Sequence, residues 1–324
     1  MTPSPELSVA ELSRAAAASL GVPAKSLVLN RCRTGKYNAT WFIRGAAESE
    51  LVLSVAPPDE RRLNLFYEYR MMRQEPGLHD TLRQRTGVPV PGIVVRDFSR
   101  ELIERDFLVM EKMPGEPLSE ATGVGRRELD RVLAEVGRAL RQVHALHAGS
   151  YGYIGEHRPH EPAGSWNEAF GLIWRLLIED IRACGGYSAG EADAMLRLLD
   201  SHLDAFDRSE PASLLHMDVW AQNILIGDSG RLVGLLDWDR ALWGDVEIEF
   251  AVLDYCGISE PAFWEGYGEK RENGRAARIR RVFYLLYELQ KYIFIRRVRG
   301  GDPSLADSYR SRSLQLAATI GLDH

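Results

Sequence analysis

The chain has 324 residues, 45% of them hydrophobic, which is enough for one large or two modest domains. A formal net charge of −6 argues against general nucleic-acid binding, because such proteins carry excess Lys and Arg for the phosphates. No apolar run reaches the length of a membrane span, and the N-terminus shows no secretion signal. The three cysteines are few, odd in number and far apart, as is typical of a reducing compartment. We therefore expect a cytoplasmic protein without nucleic-acid or membrane partners.

The first third of the chain predicts one helix followed by short strands. A capping-box pattern at Ser8–Glu11 starts the helix, which ends near Leu20. Three alternating segments then predict strands at Leu27–Arg31, Ala39–Arg44 and Glu50–Val55. The turn Thr34–Asn38 between the first two strands is either an ordinary hairpin turn or a loop that cradles phosphates through its N–H groups.

A boundary between two regions is predicted near residue 113. Before it, Arg61–Gln74 has helical spacing, with Glu68 close to its apolar face. Two further strands are predicted at Gly92–Arg96 and Arg105–Met110. The turn formers of Glu111–Gly115 then separate a strand-rich region, 1–113, from a larger helical region, 114–324.

The larger region is dominated by amphipathic helical patterns. The clearest one has apolar residues at every third or fourth position, and we expect its histidines to be packed rather than to bind a ligand. The predicted helices are Arg127–His147, Trp166–Ile181, Glu191–Phe206 and Ala276–Arg299.

Leu214–Asp239 gathers oxygen-bearing side chains between apolar runs. The runs at 224–226 and 232–236 flank Asp228-Ser229-Gly230, which predicts a hairpin with Ile224 opposite Leu235. Asn223 and Asp237 then lie side by side at its open end, and Asp218 is one short loop away. Taken singly, each is an ordinary loop or capping residue. Taken together, they favour a Mg²⁺ site with a proton acceptor, since Mg²⁺ prefers hard oxygen ligands.

Several common catalytic motifs are absent from the sequence. It contains no Walker A loop, GxGxxG, HExxH, GxSxG or CxxC, so a P-loop or Rossmann enzyme is unsupported. His216-x-Asp218 alone is compatible with a hydrolase metal site, but no second His/Asp pair accompanies it.

These residues resemble a known family. His216-Met217-Asp218 with Asn223 is similar to the catalytic loop of aminoglycoside phosphotransferases, choline kinases and related small-molecule kinases, and Asp237 to their metal-binding Asp. The stretch from Trp243 through Glu249 resembles the usual continuation of that motif. The resemblance implies an α+β, two-lobed, protein-kinase-like fold with a small antiparallel-sheet N-lobe and a mostly helical C-lobe. It also implies transfer of the γ-phosphate of ATP or GTP to a hydroxyl of a small molecule.

The resemblance assigns a role to each residue of the catalytic half of the site. Asp218 would accept or orient the proton of the attacking hydroxyl, and Asn223 and Asp237 would hold Mg²⁺. His216 would be structural, bonding the backbone to hold the loop. The nucleotide base would lie against the backbone of the hinge residues Glu111 and Met113.

The phosphate-binding half departs from the family pattern. Ser54 stands where the family usually has Lys or Arg, so Glu68, which resembles the helix glutamate that pairs with that residue, lacks its partner. Three outcomes stay open: another cation reaches the phosphates, nucleotide affinity is lower, or the chain is a non-catalytic nucleotide-binding pseudokinase. Candidates in the preceding loop are Gly35 and Asn38 as phosphate contacts and Lys36 or Arg33 as the replacement cation.

The acceptor is open between an aminoglycoside-like antibiotic and a metabolite alcohol. Acidic side chains crowd the region after Asp237 and would attract a polycation, unless they cap and pair within the fold. A protein substrate is disfavoured, because the chain passes from Asp237 to Glu249 with no room for an activation segment. The acceptor-binding candidates are Asp239, Asp245 and Trp220.

Overall fold

The structure is a computed structural model, and it describes residues 7–32, 37–46, 50–155 and 158–320. Gly35, Lys36 and Arg33, which were predicted from the sequence to contact the phosphates, lie outside the described residues. The first helix, α1 (Val9–Leu20), has the predicted capping box and ends at Gly21, whose φ of 69° terminates the helix in the left-handed region.

The strands before residue 112 form one antiparallel sheet, as predicted. Its spatial order is β1-β2-β3-β5-β4, and α1 packs on it around Leu12, Trp41 and Leu53. The strand bounds are β1 (Val28–Arg31), β2 (Ala39–Arg44), β3 (Leu51–Val55), β4 (Ile93–Asp97) and β5 (Phe107–Glu111). All five strands lie within the region 1–113, whose boundary stays a prediction.

The predicted helix over Arg61–Gln74 is wrong. That segment forms only 3₁₀ turns at Arg61–Leu63 and Met71–Gln74, and the helix α2 (Glu75–Arg85) follows it. The consecutive side chains of 65–67 are all buried, whereas an amphipathic surface helix buries only one face. The missed helix has a sequence signal, since Pro76 is favoured in a first helical turn.

Ion pairs attach the segment before α2 to the sheet. Arg73 and Arg100 contact the Asp106 carboxylate through their Nε atoms at 2.7 and 2.8 Å. Arg70 and Arg100 contact Asp59 at 3.0 and 2.6 Å. Arg70 has a φ of 57°, which interrupts any continuous helix there.

The rest of the described chain is mostly helical. Relative to the prediction, helix α5 ends earlier, and the last predicted turn of α8 is a π-helical turn at Ile295–Arg299; helices α6, α7 and α9 were not predicted. The helices are α3 (Arg126–His144), α4 (Trp166–Ala183), α5 (Ala189–Asp200), α6 (Val246–Tyr255), α7 (Pro261–Tyr267), α8 (Arg275–Phe294) and α9 (Pro303–Ile320).

In the described part of the chain, seven short strands lie between these helices. They form one sheet of three strands, β11-β10-β6, and another of four, β7-β9-β12-β8. None of the described helices combines the length and the apolar composition that a membrane span requires. The strands are β6 (Glu116–Pro117), β7 (His147–Ala148), β8 (Gly152–Tyr153), β9 (Ala212–Leu215), β10 (Ile224–Ile226), β11 (Leu232–Leu235) and β12 (Leu242–Gly244).

Candidate active site

The hairpin β10–β11 carries the predicted register, with Ile224 opposite Leu235. One step beyond that pair, the Leu236 N–H donates to the Asn223 carbonyl at 2.9 Å. Asp237 follows at once with a φ of 66°, an uncommon conformation for a residue other than glycine. The backbone therefore brings Asn223 and Asp237 to the same end of the hairpin.

His216 fastens the loop between β9 and β10 to the hairpin. Its Nε2 donates to the Leu236 carbonyl at 3.0 Å, and its Nδ1 accepts from the Asp218 N–H at 3.2 Å. Burial lowers the pKa of His216, against the opposing effects of Glu249 and Asp218. The neutral ring lies on Trp238, with 4.2 Å between ring centroids. These contacts join the loop between β9 and β10 to the hairpin.

Glu249, on α6, holds the other side of the same loop. Its carboxylate is fully buried and accepts the N–H groups of His216 and Met217 at 2.6 and 2.8 Å. Met217 has a φ of 67°, so both donors belong to a sharp bend. The Glu249 carboxylate therefore binds the protein backbone and is not exposed to solvent.

Asp218 lies between an arginine and an amide. Its Oδ1 accepts from the Arg240 guanidinium at 2.9 Å, and its Oδ2 accepts from Asn223 Nδ2 at 3.1 Å. Burial works to raise the pKa of Asp218, but the positive charges of Arg240 and Lys291 outweigh it, and the pKa lies below its usual value. An ionised Asp218 can accept a hydrogen bond from an attacking hydroxyl. Sequence reasoning missed Arg240, whose only signal is its place directly after Asp239.

A group of carboxylates lies next to Asp218. Oxygen atoms of Glu75, Asp237 and Asp239 lie within 4.8 Å of one another. Burial and the charge of Asp218 raise the pKa of Asp237 to about 6, and burial and Asp237 raise that of Glu75 to about 8. Burial and the same neighbours raise the pKa of Asp239 well above its usual value. Such a donor set fits a hard divalent cation.

The Asn223 amide also suits a cation. Its Nδ2 donates to the carbonyl and carboxylate of Asp218, which orients the amide and reserves its oxygen as an acceptor or ligand. Asn223 and Asp237 are therefore the residues that would hold Mg²⁺.

The described N-lobe residues that were predicted to bind the nucleotide lie in three places: next to the carboxylates, in β3 and at the end of β5. Asn38 donates to Asp239 Oδ2 at 3.3 Å, so it reaches the carboxylates. Ser54 is buried in β3, between Thr40 and Leu108 on the neighbouring strands. Glu111 ends β5, where its N–H donates to the Gly92 carbonyl at 2.9 Å. Met113 follows two residues later and is partly buried.

Glu68 has a partner, contrary to the expectation from Ser54. Its Oε1 accepts from Arg299 at 2.8 Å, and its Oε2 accepts from the Leu65 N–H at 2.7 Å. The Arg299 guanidinium also lies 5.3 Å from the centre of the Tyr37 ring. The glutamate that joins Asp237 is instead Glu75. Sequence reasoning missed it because the helix was predicted to end before it.

The acidic residues predicted to bind an acceptor mostly contact other side chains within the protein. Asp245 caps α6, and its Oδ2 accepts from Tyr284 Oη at 2.7 Å and lies 3.3 Å from Arg280 Nε. Its predicted acceptor role is corrected to a structural one, because its buried carboxylate already has these partners. Asp239 belongs to the carboxylate group, and Trp220 is partly exposed in the catalytic loop.

A cavity of about 1290 Å³ lies next to the start of α2 and is lined in part by residues 76–78. Gln74 and residues 76–78 line it, together with several arginines, most of which form ion pairs with nearby acids. Neither Asp218 nor Asp237 is among its lining residues. The catalytic candidates therefore lie outside this cavity.

Comparisons with known proteins agree with this arrangement. Residues 28–280 match the model of the phosphotransferase enzyme family, APH. Over 249 residues the chain is 26% identical to hygromycin-B 4-O-kinase of Escherichia coli. That match covers 73% of this chain and 59% of the relative, so the chain spans less than two thirds of the relative's length.

Two solved structures share the fold. A proposed fructosamine-3-kinase from Haemophilus somnus has a TM-score of 0.67 at 18% identity, covering 95% of this chain and 96% of that one. A thermostable mutant of the aminoglycoside phosphotransferase APH(4)-Ia, in complex with ADP and hygromycin B, has a TM-score of 0.64 at 18% identity, covering 96% and 99%. These likenesses confirm the two-lobed α+β fold. Because the family model matches residues 28–280, which are most of the chain, the chain belongs to the phosphotransferase enzyme family.

Proposed function

We propose that this protein transfers the γ-phosphate of a nucleoside triphosphate to a hydroxyl of a small molecule. The observation that carries the proposal is the position of Asp218, an ionised carboxylate next to Asn223 and the Asp237 carboxylate group. Phosphoryl transfer requires mainly that the protein position the reactants and neutralise the charge of the phosphates, and the residues of this site are suited to both.

Each residue has a defined part in the proposed reaction. Asp218 orients the acceptor hydroxyl and accepts its proton, and Arg240 keeps Asp218 ionised and fixed in position. Asn223 and Asp237 would hold Mg²⁺, which would supply positive charge to the phosphates. His216 and Glu249 keep the loop in shape through the bonds described above.

We propose ATP as the phosphate donor, with GTP as the alternative. Support comes from the related structure that contains ADP. The base would lie at the end of β5, against the backbone of Glu111 and Met113. Asn38, directly before β2, and Ser54, in β3, would face the phosphates. A cytoplasmic location would supply both the nucleotide and a reducing environment for the three free cysteines.

For the acceptor, two observations point in different directions. The relatives make hygromycin B the first compound to test. The internal pairing of Asp245, Glu247 and Glu249 removes much of the acidic surface that would attract a polycation. We therefore expect weakly charged alcohols to compete well with aminoglycosides.

The second candidate function is nucleotide binding without transfer, and Ser54 in place of the usual cation is the observation that favours it. A screen separates the two. Purified protein is incubated with Mg²⁺, ATP or GTP, and a panel of aminoglycosides, sugars and amino alcohols, and phosphorylated products are detected by mass spectrometry. Nucleotide-induced thermal stabilisation is measured in parallel, because a ligand that binds the native state raises its stability. Stabilisation without any product would favour the non-catalytic function.

A further inference from the structure

Arginines are concentrated around the cavity next to α2, although the chain as a whole is acidic, with a formal net charge of −6. Among the described residues that line the cavity, a single one, Asp59, is acidic. The arginines that line it are Arg61, Arg70, Arg73, Arg96 and Arg158. A concave surface with so many cations attracts anions, because its electric field is concentrated there.

Ion pairs neutralise the arginines of this wall only in part. Asp59 and Asp106 are shared among Arg70, Arg73 and Arg100, at distances of 2.6–3.0 Å. Three guanidinium groups therefore surround two carboxylates, and one positive charge is left over.

The other arginines of the cavity are held weakly. Arg61 lies 3.6 Å from Asp180, and 56% of its side chain is exposed. The partner of Arg158 is Glu161, whose side chain is 85% exposed. Arg96 is exposed and forms no ion pair with any residue that the structure describes. Because exposed ion pairs contribute little, an anionic ligand can compete for these guanidinium groups.

The backbone of the same wall supplies an independent observation. In the described chain, four residues other than glycine have a positive φ, and Met217 and Asp237 of the candidate active site are two of them. The other two are Arg70 and Arg100, with φ of 57° and 64°. Both of these arginines contact Asp59. Such backbone conformations are uncommon and cluster at functional sites.

Aromatic side chains form another part of the wall. Tyr69, Phe98 and Trp243 line the cavity and are partly exposed. The Arg70 guanidinium lies 4.9 Å from the centre of the Tyr69 ring, and that of Arg73 lies 5.4 Å from the centre of the Phe98 ring. Ligand pockets usually have roughly 300–1,000 Å³. The cavity, with about 1290 Å³, has room for an organic molecule that contacts both the rings and the arginines.

Gln74 connects the cavity to the backbone of the candidate active site. It lines the cavity, and its Nε2 donates to the carbonyls of Trp238, Asp239 and Ala241. The same backbone segment carries Arg240. A ligand that restrains Gln74 would therefore restrain this segment.

We propose that this cavity binds an effector, a small organic polyanion with two or more phosphate or carboxylate groups. Arg70 and Arg96 contact its anionic groups, since a guanidinium matches both phosphate and carboxylate oxygens with paired N–H donors. The site lies outside the candidate active site, and its existence does not depend on the proposed phosphate transfer.

Isothermal titration calorimetry of the full chain in EDTA tests the site with two probes, citrate and tripolyphosphate, which separate carboxylate from phosphate ligands. Wild type is expected to bind at least one probe with a Kd of about 1 mM or lower. Arg96→Glu should raise that Kd at least about tenfold, because it places a like charge beside the anion. Arg131→Glu, at an exposed position of α3, changes the net charge equally and should bind like wild type. No binding of either probe would overturn the proposal, as would equal Kd values for Arg96→Glu and wild type, which binding at the nucleotide site would give.

Gly77→Glu tests the same site without altering an arginine. Gly77 lines the cavity in the first turn of α2, and a Cβ added there meets no described atom within 4 Å. An acidic residue is favourable in a first helical turn, so the variant should fold, which thermal melting checks. Its carboxylate should raise the Kd of the bound probe at least about tenfold, and the neutral Gly77→Gln should raise it less. A wild-type Kd in folded Gly77→Glu would count against the site.

Hydrogen exchange tests the effector role. With the bound probe, amide exchange of residues 238–241 should slow in wild type, because Gln74 holds the carbonyls of this segment. Arg96→Glu at the same probe concentration should show no such slowing. Unchanged exchange in wild type with an occupied cavity would overturn the effector role.

Discussion

Arg240 donates a hydrogen bond from Nη1 to Asp218 Oδ1 at 2.9 Å, and its guanidinium lies 5.3 Å from the centre of the Tyr67 ring. Its Nη2 is also 3.7 Å from Glu288 on α8. One buried arginine therefore connects the candidate proton acceptor to a helix of the C-lobe and to the segment that precedes α2. Catalysis by Asp218 should depend on this connection.

Replacing Arg240 with alanine should impair both folding and transfer. The substitution removes the guanidinium that contacts Asp218 and Glu288 and leaves Lys291, which pairs with Glu288, as the remaining nearby cation. Breaking a buried ion pair typically costs about 3–5 kcal/mol of stability. Urea unfolding gives the stability, and transfer is assayed at a temperature where the variant remains folded.

The control for Arg240 is an arginine without such contacts. Arg96 is exposed on β4 and forms no ion pair among the described residues, so Arg96→Ala should change stability by less than about 0.5 kcal/mol. The stability of Arg240→Lys should lie between those of wild type and Arg240→Ala, since lysine keeps the charge but lacks the planar guanidinium with its several N–H donors. Equal stability of the Ala and wild-type proteins would contradict the role given to Arg240.

Glu249→Gln should loosen the catalytic loop. A glutamine oxygen can accept one of the two N–H groups of His216 and Met217, but its NH₂ group faces the other donor. A buried unsatisfied donor costs about 1–3 kcal/mol, and transfer should fall because the loop that carries Asp218 shifts. Circular-dichroism melts and initial rates measure the two effects, with Glu265→Gln as the exposed control. A variant with wild-type stability would show that these bonds do not hold the loop.

Asp180 should make stability depend on pH. Its Oδ2 accepts the Phe66 N–H at 2.5 Å, and burial raises its pKa to about 6, with Arg61 opposing the rise. A carboxyl group whose pKa is higher in the folded than in the unfolded state costs stability when ionised. The cost is absent below the unfolded value, near pH 4, grows as the pH rises toward 6, and is full above it.

Asp180→Asn removes that titration and keeps an oxygen that can accept the Phe66 N–H. At pH 7 the variant should be more stable than wild type, by on the order of 1 kcal/mol after allowance for lost attraction to the exposed Arg61. The difference should shrink as the pH falls toward 4. Parallel urea titrations at pH 4, 5.5 and 7 measure it, and a constant difference across that range would rule out the assigned titration.

Local patterns predicted much of the catalytic half of this site. The register of Ile224 and Leu235 follows from alternation and turn chemistry, and the place of Asp218 follows from the short loop before the hairpin. The capping box at Ser8 likewise predicted the start of α1. Each of these features is encoded within a few neighbouring residues.

The contacts that were not predicted join residues far apart in the chain. Arg299 and Glu68 are 231 positions apart, and Glu75 meets Asp237 only because the segment before it is not helical. Consecutive aromatic residues in that segment gain more from burial in the tertiary structure than from a helix, and the helical spacing of Leu65 and Tyr69 did not reveal this.

Transfer by the Asp218→Asn variant is the most direct test of the proposed phosphotransferase. The asparagine keeps the shape and the hydrogen bond from Arg240 but cannot accept a proton. With the best acceptor from the screen, Mg²⁺ and saturating ATP, we expect kcat to fall by about 10²–10⁴-fold, while thermal stabilisation by nucleotide is retained. Wild-type kcat in a folded, nucleotide-binding Asp218→Asn protein would contradict the assignment of Asp218 as the proton acceptor.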